Sequence, residues 1–346
     1  MEEFVKAAIM RAKEIVVDEV PDLTPGPGEV LVETIACGIC GSDLHALTRP
    51  ESMLESAGAN GMLPPFDAEQ DVVMGHEFSA RVLELGPGAT GVEPGDAVVS
   101  MPMAMTAGGP QLIGYSNTYP GGYAEQMLLT AAMCIKVPES LDPRHAALTE
   151  PMAVGLHAVN KVSITANDTA VVLGCGPIGL AVIGSLKIAG VKHIVGSDFS
   201  PTRRKLAEGM GATCVVDPKQ EPPMEALART GGGANPVVFE AVGAPGVLDE
   251  AMRAAPRLGR IVVVGVCMDK DTIWPMLGIT KELNIHFALG YDPLEFRKTL
   301  DGIASGEIDV APLITGEVPI DGVAEAFKEL GNPDAHAKIL VTPQLG

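Results

Sequence analysis

The sequence predicts an α/β chain: a parallel sheet covered on both faces in its second half, a β-rich unit ahead of it, and a short return to that unit at the end. Three observations carry this. After about Pro151, short apolar strand candidates alternate with helix candidates, as in a parallel sheet sandwiched by helices. Before it, strand-like segments are punctuated by Gly and Pro, of which the whole chain holds 40 and 28. The 346 residues, 47% hydrophobic, suffice for two packed cores.

In chain order, "EVLVETIACG" (29–38) alternates as a strand. "EFSARVLELG" (77–86) is a second, closed by the turn "PGATGVEPGD", and "AVVSMPMAM" (97–105) follows. The stretch 108–126 is turn-rich. "TAVVLG" (169–174) then leads into a helix over 177–189, and "HIVGSD" (193–198) into "PTRRKLAEGMG". "TCVVD" precedes a weaker helix near "MEALART", and "PVVFEAVG" precedes "GVLDEAMRAA". "GRIVVVG" and "NIHFALG" are further strands. From Asp292 the alternation loosens into the helices "PLEFRKTLDGIA" and "GVAEAFKEL" and a last strand, "KILVTP".

Forty-four acidic residues against 24 basic give a net charge of −20, which repels polyanions and argues against a nucleic-acid role. "MEEFVKAAIM" lacks the apolar core of a signal peptide. The uncharged run Thr169–Leu186 has the length of a membrane span, but its Gly-rich, strand-like first half and Pro177 fit a soluble strand–turn–helix better. The six cysteines are scattered, which fits a reduced cytoplasmic protein and not a disulfide scaffold.

"GCGPIG" places Gly174, Gly176 and Gly179 in G-x-G-x-x-G spacing after a strand and at a helix start. The first glycine permits a tight turn, the second a close approach to a pyrophosphate, and the third tight helix–strand packing. A second strand ends at Asp198, where a carboxylate accepts from a ribose diol and repels a 2′-phosphate; this favours NAD, although Arg203 and Arg204 lie nearby. The alternative is that Asp198 caps the next helix. The expected cofactor contacts are Gly174, Gly176, Pro177, Ile178, Gly179, Asp198, Arg203, Val242, Gly265 and Val266.

"CGSDLH" (40–45), "GHE" (75–77) and "LTEPMAVGLHA" (148–158) supply Cys40, His76 and a carboxylate from Glu77 or Glu150. Three such ligands with an open position suit catalytic zinc, which brings a bound water's pKa to ~7 and acts similarly on an alcohol. The C-x-x-C spacing of Cys37 and Cys40 has no second pair to complete a zinc knuckle, so Cys37 is expected to pack within its strand or sit near the cofactor. His157 reads as structural.

Jointly these motifs resemble the zinc-dependent medium-chain alcohol/polyol dehydrogenases along essentially the whole chain, and the sorbitol and 2,3-butanediol types in "TEPMAVGLHA"; ethanol-type members carry a cysteine where Glu150 stands. The resemblance implies a Rossmann dinucleotide-binding domain over 154–289 and a β-rich GroES-like catalytic domain formed by 1–153 and 290–346. It implies that Cys40 and His76 bind zinc, with Glu77 and Glu150 as the two carboxylates beside it. Ser42 takes the alcohol's proton, His45 is the next acceptor, and Asp43 orients a metal-bound histidine. It implies reversible hydride transfer between a secondary alcohol or vicinal diol and NAD, in a homodimer or homotetramer. Two rivals are a metal-free enoyl or quinone reductase of the same fold and a non-catalytic nucleotide-binding protein.

The sequence departs from the family twice. Met101–Tyr119, where many relatives place four cysteines around a structural zinc, contains none, so one zinc per chain is expected. The segment between His45 and Gly75 is long, and Met53, Leu54, Met62, Leu63 and Phe66 are candidates to wall the pocket.

Overall fold

The structure, a computed structural model, describes residues 4–60, 65–233 and 235–345. Strands β1 (Phe4–Arg11) and β2 (Glu14–Pro21) form an antiparallel hairpin. β3 (Glu29–Gly38) leads into helices α1 (Gly41–Thr48) and α2 (Pro50–Ala59). β4 (Glu77–Leu85), β5 (Ala97–Ser100), the hairpin β6 (Met103–Thr106) and β7 (Gly109–Leu112), β8 (Gln126–Thr130) and β9 (Cys134–Lys136) complete the first unit's strands. α3 (Pro143–Ala146) and α4 (Thr149–Asn160) then lead away.

The alternating half follows as β10 (Thr169–Leu173), α5 (Pro177–Ile188), β11 (Ile194–Ser197), α6 (Pro201–Met210), β12 (Cys214–Val216) and α7 (Pro223–Arg229). It continues with β13 (Pro236–Glu240), α8 (Val247–Ala254), β14 (Arg260–Val263), α9 (Pro275–Lys281) and β15 (Asn284–Phe287). The chain ends through α10 (Pro293–Ala304), β16 (Ile314–Val318), α11 (Val323–Leu330) and β17 (Lys338–Val341).

The six strands β10 to β15 pair in the order β12-β11-β10-β13-β14-β15, all in parallel. Numbered from β10 this is 3-2-1-4-5-6, the doubly wound dinucleotide-binding order, whose crevice lies where the order reverses, between β10 and β13. The other large sheet runs β16-β17-β3-β4-β5-β9, with β8 on β3. The last strand of the chain thus pairs antiparallel with β3, setting Val341 opposite Cys37.

One apolar core joins the two sheets. It includes Ala36 and Val99 from the first, Val172 and Phe239 from the second, and Leu148, Met152 and Phe296 between them. Burying a side chain such as Leu148 or Met152 contributes ~1.5–3 kcal/mol. α4 lies so close on α5 that a Cβ at Gly155 would strike Ala181. This contact fixes the last residues before the alternating half, and with them Glu150.

Two sequence expectations are sharpened here. The long segment after His45 is partly the helix α2, begun by Pro50 at its first position, not an open loop. Where a structural zinc lobe would stand, the β6–β7 hairpin turns instead; Met103 and Met105 on it are exposed.

Candidate active site

Cys40, His76 and Glu77 offer ligand atoms that all lie within 4.8 Å of one another. Each position has a local cause. β3 ends at Gly38, and Cys40 is the extended N-cap of α1, so its thiol is presented at a helix start. Gly75, at φ 102°, makes the turn that brings in His76 and starts β4 at Glu77. A Cβ at Gly75 would lie 2.9 Å from Cys37 Sγ and 2.8 Å from Tyr123 Cδ1, so the turn requires glycine. Cys37 is fully buried and packs there, and it is not one of the three donors. A thiol, an imidazole and a carboxylate converging with little solvent contact fit a zinc ion.

Asp43 is buried beneath this cluster. Its Oδ2 accepts the Cys40 N–H at 3.0 Å and the Tyr123 hydroxyl at 2.7 Å. Its Oδ1 accepts the Tyr115 hydroxyl at 2.7 Å and lies 3.3 Å from His76 Nδ1. Burial opposes the ionised carboxyl, but His76, Tyr123 and Tyr115 outweigh that and hold it below the ordinary aspartate range. Asp43 therefore braces the histidine, as expected for a group behind a metal ligand.

The two glutamates differ. Both Glu77 oxygens face the buried Lys338 ammonium, at 2.9 and 2.6 Å. Lys338 Nζ also donates to the Ile39 carbonyl at 3.0 Å. Glu150, in the first turn of α4, has no such cation in contact. Desolvation pushes its carboxyl up to about 7; His76 pulls it down, Glu77 raises it further, and a hydrogen bond from Tyr291 lowers it. Tyr291 in turn stacks on Phe296, with ring centroids 5.2 Å apart.

Ser42 and His45 lie on α1, three residues apart on one helix face, and both are half-buried. Ser42 Oγ is 3.0 Å from the Tyr115 hydroxyl. Burial, and next the Arg49 charge, lower the His45 pKa below 6.5, so its ring is neutral and able to accept a proton near neutrality.

The second half supplies a cradle. Gly174, at φ 88°, turns the chain from β10 towards α5. A Cβ at Gly179 would strike the Gly174 carbonyl oxygen, so the helix can close on the strand only with glycine there. A Cβ at Gly176 would meet only Arg203, 3.8 Å away, leaving open space for a phosphate beside the guanidinium. Pro177 and Ile178 begin α5, whose first turn has no side-chain cap and leaves N–H groups free for an anion. Val242 touches this loop: its Cγ2 lies 2.8 Å from where a Gly174 Cβ would be. Gly243 packs against Val266 and Gly265, and Glu240 secures the turn by accepting the Val242 and Gly243 N–H groups at 2.7 and 2.9 Å.

Asp198 does not cap α6. Ser200 does, accepting the Arg203 N–H at 3.2 Å. The Asp198 carboxylate instead accepts the Cys175 N–H of the glycine loop and the Ser200 N–H, both at 2.8 Å, which sets it at the rim of the cradle. The expected metal and proton-path residues thus lie at or on α1 and at the start of β4 and α4, and the expected cofactor residues on the loops and helices around the second sheet.

Sequence reasoning missed Lys338, Tyr115, Tyr123, Tyr291 and Glu240. One signal was available: the chain has only four tyrosines, and three of them touch Asp43 or Glu150. Phe66 is corrected. It is buried and stacks behind Tyr115, centroids 6.4 Å apart, so it supports the site from the second layer and does not wall a pocket. Met62 and Leu63 lie outside the described residues. His157 is structural as expected, its Nδ1 2.7 Å from Glu295 Oε2.

Comparison with known proteins gives the following. Residues 26–139 match the family model described as alcohol dehydrogenase GroES-like domain, and 177–305 the one described as zinc-binding dehydrogenase. The (R,R)-butanediol dehydrogenase of Bacillus subtilis (strain 168) is 34% identical over 96% of this chain and 97% of its own length. The sorbitol dehydrogenase of Gallus gallus is 29% identical over 92% of this chain and 91% of its own. A crystal structure of a provisionally assigned zinc-binding dehydrogenase from Sinorhizobium meliloti 1021, bound to NADP, superposes with a TM-score of 0.84. It is 30% identical and covers 99% of this chain and 100% of its own.

The buried Glu77–Lys338 pair gives a stability test. Lys338→Met strands a buried carboxylate and is expected to cost about 3–5 kcal/mol in urea unfolding of metal-depleted protein. Glu77→Gln in the same background is expected to recover most of that. A Lys338→Met protein as stable as the parent would show that the pair does not hold the site.

Proposed function

Because the chain belongs to the zinc-dependent medium-chain polyol dehydrogenase family, we propose that it oxidises a secondary alcohol or vicinal diol, reversibly with its ketone, and passes the hydride to NAD. One observation carries this reading: a thiol, an imidazole and a carboxylate converge beside a half-buried Ser–His pair, while a glycine-loop cradle stands on the neighbouring sheet. The metal-free reductase reading has no use for that cluster, and the non-catalytic reading has none for Ser42 and His45.

Cys40, His76 and Glu77 would hold one zinc, with Glu150 facing the same space and available to a substrate hydroxyl. Zinc there supplies a Lewis acid that favours loss of an alcohol's proton. The nicotinamide supplies the hydride acceptor, and the protein its position. Ser42 accepts the proton, and His45, kept neutral by burial and Arg49, is the next station towards solvent. Glu150, with a carboxyl near neutrality, is suited to exchanging a hydrogen bond with a substrate hydroxyl. Asp43 keeps the His76 ring fixed. Asp198 would accept from the adenosine ribose hydroxyls; the NADP-bound relative and Arg203 leave room for some use of NADP.

We take 1–153 and 290–346 as the catalytic domain and 154–289 as the dinucleotide domain. The return of β17 to β3 supports this division. The six unpaired cysteines support a reducing, cytoplasmic setting, and among the described residues no helix is long and apolar enough to cross a membrane. β15 is the edge of its sheet, and exposed Trp274, Ile279, Phe287 and Leu289 lie on it or near it in sequence, which supports a homodimer or larger homo-oligomer.

Three outcomes test these statements. Cys40→Ala is expected to lose both the metal, one zinc per chain by elemental analysis, and NADH formation across polyols, vicinal diols and secondary alcohols; retained turnover would sink the mechanism. Asp198→Gly is expected to raise the KM for NAD and move preference towards NADP, and an unchanged cofactor ratio would remove Asp198 from the ribose site. Leu289→Glu, a fully folded surface change, is expected to lower the sedimenting mass; a parent that is already monomeric would refute the oligomer.

A further inference from the structure

We infer that Tyr115 is a positioning residue for Ser42: one phenol oxygen ties the proton-accepting hydroxyl to the buried brace behind the metal ligands. This rests on the reading of Ser42 as the acceptor of the substrate's proton.

Tyr115 is buried, its ring lying between His76 and Phe66 at centroid distances of 5.2 and 6.4 Å. Its hydroxyl is 2.7 Å from Asp43 Oδ1 and 3.0 Å from Ser42 Oγ. A phenol has one proton to give. Two further groups donate to Asp43, the Cys40 N–H and the Tyr123 hydroxyl, and His76 Nδ1 lies 3.3 Å from its Oδ1. Asp43 therefore stands as a carboxylate, and the shorter, charge-assisted contact takes the Tyr115 proton. The same hydroxyl is also the donor at the longer contact, where Ser42 Oγ accepts at 3.0 Å in a shared hydrogen bond.

Two consequences follow for the chemistry. As the acceptor from Tyr115, Ser42 keeps its own proton free to point away from the brace, and a second lone pair stays open to an alcohol O–H. The branch through Tyr115 is also closed as an exit. It ends at Asp43, whose two oxygens already face four donors. As the alcohol O–H bond breaks and a new Oγ–H bond forms, the original Oγ–H bond of Ser42 breaks and its proton leaves on the His45 side. Tyr115 is an anchor, not a relay. Without it, Oγ is free to take other staggered rotamers.

Tyr115→Phe keeps the ring and removes the hydroxyl, and with it both the tie to Ser42 and one of the donors to Asp43. In the zinc-loaded enzyme it is expected to lower kcat about five- to tenfold, the loss of one ordinary hydrogen bond. The KM for the alcohol and the zinc content are expected to stay at parental values. Tyr123→Phe is the control, since Tyr123 reaches Asp43 but makes no hydrogen bond to Ser42; its kcat loss is expected to be smaller. Equal kcat losses in the two variants would mean that both act through Asp43 and would overturn the inference. So would a Tyr115→Phe effect appearing in KM or as lost zinc, or no effect at all. Ser42→Ala separates the two levels: near-parental kcat there removes the Ser42 reading itself, whereas a large loss leaves Ser42 in place and lets the tyrosine variants decide.

Discussion

A buried carboxylate organises the first half of this protein. Asp43 sits at the third position of α1, with its side chain turned back on the Cys40 N–H, so one residue both starts the helix and presents the thiol. Removing a carboxylate from water costs several kcal/mol, and only a full set of donors offsets it. Here the other donors come from His76, in the turn before β4, and from Tyr115 and Tyr123, in the turn-rich segment before β8. Each segment is irregular by itself. Together they must adopt one arrangement, because losing any donor leaves a charge poorly solvated in the core. The glycines follow from this. Gly75, Gly121 and Gly122 lie where backbones and the Cys37 thiol already touch, and any side chain would push the tyrosines off Asp43.

A second buried charge ties the ends of the chain together. Lys338 opens β17 and reaches Glu77 at the start of β4, 261 residues earlier. In low dielectric each partner needs the other, so the last strand is part of the site and not only of the sheet. The Glu77 charge is thereby shared between an ammonium and the space beside Cys40 and His76. Glu150 makes no direct ion pair of that kind, and desolvation pushes its carboxyl up to about 7. Two carboxylates in one site are driven apart in character by their neighbours, a fixed one and an adjustable one.

What the sequence made legible was short-range. The glycine loop of 174–179 is a backbone requirement compressed into six residues, and a helix-covered parallel sheet follows from alternating apolar strands and helices, whereas its order 3-2-1-4-5-6 came only with the structure. Cys40, Ser42, Asp43 and His45 share one helix start, so their spacing is itself informative. Tyr115, Tyr123 and Lys338 lie 72, 80 and 261 residues from the groups they hold, and no local period encodes such pairings. Phe66 shows the same limit. An apolar residue in a long insertion suggests a pocket wall, but whether it lines the cleft or lies behind the lining depends on Tyr115, which stands between it and His76. That Ser200 and not Asp198 caps α6 was likewise beyond sequence, since both residues precede α6 and both are good caps.

The strength of these contacts is uneven, and the unevenness has a direction. Within the catalytic unit the site is held by buried pairs, Asp43 with its donors and Glu77 with Lys338, whose loss costs kilocalories. Across the cleft, the α1–α2 segment meets the loop after β14 through Arg49–Asp269 at 2.5 Å and Lys270–Glu55 at 2.8 Å. These side chains are 43–92% exposed, and such pairs contribute only about 0–1 kcal/mol each. The ligand-donor cluster and Ser42 are thus held by the stronger contacts, while that edge, near Gly265 and Val266, is fastened only by exposed ion pairs.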